Sequence, residues 1–208
     1  MKSSNHYYNK VNEITNVSRE TFLHLEKYVE LLLKWNKSIN IISRKTEGDI
    51  WQRHILDSAQ IMKHLPNKSC AITDFGSGGG LPALVVAILT NNELHLVESD
   101  ERKSAFLIQV TSELKLGNVT IHNDRIESLD AWQSDILMAR ALAPLSDLFQ
   151  LLNKFVEKSN ICLFMKGANV VKEIKEAQRN WQFEYCEYKS ITDSNSVVLE
   201  VKNIKRKL

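Results

Sequence analysis

From residue 70 onward, short apolar runs alternate with helical stretches, and that alternation admits few folds. AITDF reads as a strand, LPALVVAILT as a helix, LHLVE as a strand and ERKSAFLIQVTSELK as a helix. VTIHN, DILMAR and ICLFMK continue as strands, with the helical segments PLSDLFQLLNKFV and ANVVKEIKEAQRN between and after them. Alternating strands and helices imply an α/β fold, a doubly wound and mostly parallel sheet with helices on both faces. Two consecutive strands at the end, FEYCEYKSI and SVVLEVK, imply a closing antiparallel hairpin. Before residue 70 the pattern is helical. Ser18 can cap a helix in which Phe22, Leu25, Val29 and Leu32 recur at spacings of three and four. A second helix is expected from Gly48 to Leu65, ahead of Pro66. The expected division is an N-terminal helical extension over 1–66 and a sheet domain over 67–208.

Four of the seven glycines fall in the stretch Asp74-Phe75-Gly76-Ser77-Gly78-Gly79-Gly80, between a predicted strand and a predicted helix. Glycine serves where the backbone turns sharply and a ligand must approach the main chain. In a doubly wound sheet this is where a nucleotide binds. Two cofactors compete. Gly78-x-Gly80-x-x-Ala83 satisfies the dinucleotide fingerprint, and Glu98, at the end of the next strand, could hold the ribose diol of either cofactor. Asp74, two residues before the first glycine, gives D-x-G-x-G-x-G, the spacing of S-adenosylmethionine-dependent methyltransferases; its carboxylate is expected to order the loop and reach the cationic methionine end. The Asn123–Glu127 segment follows the third strand, where a carboxylate, Asp124 or Glu127, can accept from the adenine amino group and a following backbone N–H can donate to the ring. No hydride-transfer constellation is evident. The residues favour S-adenosyl-L-methionine, giving S-adenosyl-L-homocysteine, on the class I, Rossmann-like methyltransferase sheet.

The bulk numbers exclude other classes. A charged share of 25% and a hydrophobic share of 43% are those of an ordinary globular chain. The polar start MKSSNHYYNK and the shortness of the longest apolar run, Leu81–Leu89, suggest neither secretion nor a membrane span, so a cytoplasmic protein is expected. Cys70, Cys162 and Cys186 lack metal-ligand spacing and read as reduced, buried thiols; no metal is expected. Net charge is only +2, but Lys34, Lys37, Arg44 and Lys45 form one acid-free patch and Lys202, Lys205, Arg206 and Lys207 another, each a candidate for phosphate contact.

The segment after the fourth strand, Met138–Pro144, lacks the Asp/Asn-Pro-Pro-aromatic loop of exocyclic amine methylation. No cysteine sits where attack on a pyrimidine ring would need one. Arg140 suits a carboxylate or a phosphate. A ring nitrogen with a free lone pair, such as guanine N7, needs no general base, so catalysis would be mainly positioning. An RNA-assembly factor without activity and a small-molecule or protein methyltransferase remain open on the residues alone.

The chain resembles the small-subunit (16S) ribosomal RNA guanine-N7 methyltransferase family, also called the glucose-inhibited division protein B family. The resemblance runs from about Ser18 to the last strand. It is carried by Lys34-Trp35-Asn36-Lys37 with Asn40, Arg53-His54-Ile55-Leu56-Asp57-Ser58, Asp74 to Pro82, Arg125-Ile126-Glu127, Ser134 to Ala141 and Lys166-Gly167. It implies N7 methylation of a guanine in a loop of small-subunit ribosomal RNA, free or in an assembling subunit, by an enzyme expected to be monomeric. It implies cofactor contacts at Gly76, Leu81, Ile126, Glu127 and Arg140, to which the loop and ribose arguments add Gly78 and Glu98. Asn36, Asn40, Arg53, His54, Asp57, Arg125 and Lys166 are expected to line the same cleft toward RNA, with Arg140 and Lys166 as catalytic candidates. Gly79 replaces a proline usual in the family, Ala83 a glycine, and Ile39 an aromatic that could stack on a base.

Overall fold

The computed structural model describes residues 4–207. Helices α1 (Ser4–Ile14) and α2 (Arg19–Ile39) come first. Ser18 caps α2, its hydroxyl accepting from the Thr21 N–H at 3.0 Å. The face bearing Phe22, Leu25, Tyr28, Val29 and Leu32 is buried, as the helical spacing requires. α1 was not anticipated, because it buries only Val11 completely.

The expected helix over Gly48–Leu65 is broken. A 3-10 turn (Arg44–Asp49) leads into a π turn (Trp51–Leu56), the short α3 (Asp57–Ala59) and another 3-10 turn (Gln60–His64). A π turn inserts a residue and shifts the faces. Here Arg53, His54 and Asp57 line a cleft, while Ile55, Leu56 and Ala59 enter the core.

Among the described residues seven strands form one sheet: β1 (Ala71–Phe75), β2 (Glu93–Val97), β3 (Val119–His122), β4 (Ile136–Arg140), β5 (Ile161–Lys166), β6 (Trp181–Lys189) and β7 (Val197–Arg206). Their order is β3-β2-β1-β4-β5-β7-β6. The first five are parallel, and β7 runs antiparallel between β5 and β6. The crossovers are α4 (Ala83–Leu89), α5 (Glu101–Glu113), α6 (Leu145–Leu152) and α7 (Val170–Asn180). β1 lies between β2 and β4, so the chain reverses its winding there and opens a crevice at the strand ends.

Two cores fill the faces. α2, α4 and α5 share one with the sheet; α6, α7 and Trp181 fill the other. α4 is apolar all round because α2 and α3 cover its outer side. The N-terminal helices are thus built into the sheet's own core.

Two other expectations are corrected. Cys70 and Cys162 are buried, but Cys186 is exposed on β6. The basic C-terminal patch is the end of β7: Val197 pairs with Lys166 at the carboxyl end of β5, whereas Arg206 pairs with Trp181 at the start of β6. Arg206 and Lys207 therefore sit at the end of the sheet opposite the crevice. No helix among the described residues is long and apolar enough to cross a membrane.

Tyr28 of α2 is fully buried and donates its hydroxyl to the Gly79 carbonyl at 2.5 Å. Removing the hydroxyl leaves that carbonyl unpaired in the core, which costs about 1–3 kcal/mol. Tyr28→Phe is expected to lower the urea unfolding free energy by that amount with an unchanged denaturant slope.

Candidate functional site

The loop after β1 is held from below. The Val97 carbonyl accepts from the Gly76 and Ser77 N–H groups at 2.9 and 3.0 Å. The buried Glu98 carboxylate accepts from the Gly78 N–H at 2.7 Å and, through its other oxygen, from the Asp100 N–H at 2.8 Å. Gly76, Gly78 and Gly80 all have positive φ, which side chains other than glycine rarely adopt. At Gly79 a Cβ would lie 2.5 Å from the Ile41 Cγ2, so the Ile41 methyl fills the space the family's proline would take.

This loop roofs a cavity of about 570 Å³. Gly76, Gly78, Leu81, Glu98, Asp124, Arg125, Ile126, Glu127 and Arg140 all line it. Ile41, Ser43, Lys103 and Leu142, which sequence reasoning missed, complete the wall. Nine residues spread over sixty-odd positions of sequence thus converge on one concavity at the strand ends.

A second cavity, of about 510 Å³, adjoins the first across a wall made by His54, Arg140, Ala141 and Leu142. Arg53, Asp57 and Lys166 line it, together with Glu173 and the β6–β7 turn residues Ser190, Thr192 and Asp193. Arg140 organises the wall. Its Nη2 donates to the Arg53 carbonyl at 3.0 Å and lies 3.3 Å from both His54 Nδ1 and Asp57 Oδ2, while Nη1 is buried without a partner. Donation to Nδ1 places the imidazole proton on Nε2, which donates to Thr46 Oγ1 at 2.8 Å; that hydroxyl in turn donates to the Ser43 carbonyl. Burial, then the charges of Arg140 and Arg53, lower the His54 pKa to about 4, so the ring is neutral at pH 7.

Asp57 is the hub on the other side. Its Oδ1 accepts from Thr192 Oγ1 at 2.5 Å and Gln60 Nε2 at 2.9 Å. Arg53 meets Asp193 at 2.8 Å, but that pair is partly exposed and contributes less than about 1 kcal/mol. Lys166 donates to the Ala143 carbonyl at 2.7 Å and to Glu173 Oε2 at 2.8 Å.

The family model described as rRNA small subunit methyltransferase G matches residues 22–202. A Cereibacter sphaeroides protein named ribosomal RNA small subunit methyltransferase G is 45% identical over 198 residues, covering 93% of this chain and 95% of its own. Its namesake from Orientia tsutsugamushi is 43% identical, covering 94% and 97%. The chain belongs to the rRNA small subunit methyltransferase G family.

The fold is shared more widely. A ribosomal protein L11 methylase from Lactobacillus delbrueckii subsp. bulgaricus aligns over 75% of this chain and 79% of its own, at 15% identity and a TM-score of 0.58. An S-adenosylmethionine-dependent methyltransferase from Aquifex aeolicus aligns over 74% and 93%, at 10% identity and a TM-score of 0.59. Both likenesses place the sheet in the methyltransferase fold.

Three residues quoted for the family resemblance lie elsewhere than expected. Asn36 is 0% exposed; its amide donates to Glu47 and accepts from the Ile42 N–H, so it shapes the turn after α2 and reaches neither cavity. Asn40 is exposed outside both cavities, in a left-handed conformation that ends α2. Asp74 does not order the glycine loop by its carboxylate: both oxygens are buried beneath the loop without a hydrogen-bond partner. Glu173 was invisible in sequence because an acid in a charged amphipathic helix reads as a solvated face.

Burial raises the Asp74 pKa from 3.8 to about 7, with Glu98 adding to the rise. The native state therefore keeps this proton to higher pH than the unfolded chain, and stability falls as pH rises from about 4 through about 7. Asp74→Asn is expected to flatten that slope and to gain on the order of a few kcal/mol over the parent at pH 8. Urea unfolding of both proteins from pH 5 to 8 measures it, and parallel curves would refute the assignment.

Proposed function

We propose that this chain uses S-adenosyl-L-methionine to methylate guanine N7 in a loop of small-subunit ribosomal RNA, releasing S-adenosyl-L-homocysteine. The observation that carries the reading is the pair of adjoining cavities, one under a glycine loop and one lined by paired cations and carboxylates, sharing Arg140 as their wall. The first cavity fits the cofactor. Glu98 keeps lone pairs for a ribose diol beside its two backbone bonds. Ile126, Leu81 and Leu142 supply apolar surface for adenine, between the polar groups of Asp124 and Glu127. Arg140, on the wall of this cavity, matches the carboxylate of a methionine end. When bound, the cofactor supplies an electrophilic methyl that the N7 lone pair takes as the sulfur keeps the bonding pair.

No proton moves in that transfer, which agrees with a shared wall built from a neutral imidazole and a permanently charged guanidinium. The chain's work is to align the base and exclude water. In A-form RNA the major-groove edge that carries N7 is too deep and narrow to enter, so the target is a splayed or single-stranded guanine. Arg53, His54, Asp57, Arg125 and Lys166 are the residues assigned to RNA. Arg44 and Lys45 follow the Ile41–Ser43 segment at the cofactor cavity and hold the backbone, with Lys34 and Lys37 on α2. The helices over 1–66 form the RNA-facing side of the methyltransferase domain over 67–208. The protein works in the cytoplasm as a monomer.

Labelled methyl transfer to small-subunit RNA and subunits lacking the modification, mapped by N7-methylguanine-specific strand cleavage, tests the reading. One cleavage position is expected; label without cleavage would overturn the N7 assignment, and no label would overturn the RNA substrate. Replacing Arg44 and Lys45 by alanine is expected to weaken RNA binding and to reduce the slope of log affinity against log salt by roughly 1–2.

A further inference from the structure

The second cavity contains three carboxylates, and they differ in what they have left to offer. Asp57 is saturated by Thr192, Gln60 and Arg140. Asp193 is taken by Arg53 and by the Asn195 N–H. Glu173, in the first turn of α7, uses one oxygen only: Oε2 accepts from Lys166 Nζ at 2.8 Å and from the Leu145 N–H at 3.0 Å. Among the described residues no donor meets Oε1. Lys166, with two of its three N–H groups committed, keeps one to give.

We propose that Glu173, held by Lys166 and the Leu145 N–H, reads the Watson–Crick edge of the target guanine and stabilises the charge that methylation puts on it. The proposal rests on the guanine-N7 reading above. A base whose N7 faces the shared wall turns its N1–H and N2 amino group away from it. Lys166 and Glu173 line the second cavity and no part of the first, so they are open to the edge of a base that holds its N7 at the shared wall. Guanine offers two donors there, for which a carboxylate oxygen is the matching acceptor, and O6 accepts from the remaining Lys166 N–H. Adenine offers a lone pair at N1, which an ionised carboxylate repels.

The same contact acts on the rate. N7 gains a carbon and the base gains one positive charge without losing a proton. That charge acidifies N1–H, so its bond to Oε1 is stronger in the transition state than in the ground state. An interaction that strengthens in this way raises kcat rather than lowering KM alone.

The test is single-turnover methyl transfer to a target RNA carrying guanosine, inosine or N1-methylguanosine at the modified position, by the parent protein and Glu173→Gln. Inosine lacks the N2 amino group, and the N1 methyl blocks the other donor. The parent is expected to be slowed about 10- to 100-fold by either replacement, the usual cost of losing a hydrogen bond to a charged group. In Glu173→Gln, guanosine transfer falls by a similar factor at unchanged cofactor affinity, and the guanosine-to-inosine ratio falls well below the parent's. Dividing the parent's ratio by the variant's cancels the intrinsic difference between the two bases. An unchanged ratio in Glu173→Gln, or a parent that methylates all three targets equally, overturns the proposal; the second comparison needs no variant to fold. A parent that transfers no methyl even to the guanosine RNA overturns the functional reading, and this proposal with it.

Discussion

The Arg140 guanidinium fixes the relation between the two halves of the site. It stands at the carboxyl end of β4, and its bonds to the Arg53 carbonyl, His54 and Asp57 tie the broken helix to the sheet. Its charge also sets the state of its neighbour: with Nδ1 accepting, the His54 proton is committed to Thr46 and the ring stays neutral. A partly buried charge is costly to leave unpaired, so removing Asp57 or the π turn would cost more than their own contacts. The wall between the cavities is therefore a consequence of one side chain's need for partners.

The glycine loop is held from two directions by different parts of the chain. Below it are Val97 and Glu98 of the sheet, and above it is Tyr28 of α2. The loop's positive-φ residues let its N–H groups turn toward Val97 and Glu98 while the Gly79 carbonyl accepts from Tyr28. An N-terminal helix thus takes part in the loop as directly as the strand that precedes it.

Much of this was legible in the residues. Buried parallel strands need near-continuous apolar runs, so AITDF, DILMAR and ICLFMK declared themselves within about two residues of their observed ends. The glycine cluster and Glu98 were legible because a sharp turn of positive-φ residues after a strand needs glycine, and its acceptor stands at the end of the neighbouring strand. What stayed hidden depends on partners far apart in sequence. Asn36 looked like a cleft residue because its partners, Glu47 and Ile42, are fixed only by the fold of the turn after α2. The π turn has no propensity signature, and its value appears only once Asp57 meets Thr192, 135 residues away. Glu173 became distinct from other helical acids only when Lys166 and Leu145 left it half-satisfied. Charge patterning also does not say which end of a sheet a strand finishes on, so the position of the basic tail became visible only in the strand pairing.

The place of β7 has a consequence for how the protein is made. β6 leaves the ribosome before β7, yet it joins the sheet only through β7, which lies between it and β5. The turn joining them carries Thr192 and Asp193, the partners of Asp57 and Arg53. During synthesis, then, the glycine loop, β2 and β4 can assemble while the second cavity still lacks one side. The first cavity, lined by residues up to Leu151, can form before the last strand emerges, whereas the second needs Ser196 and Val197 at the start of that strand.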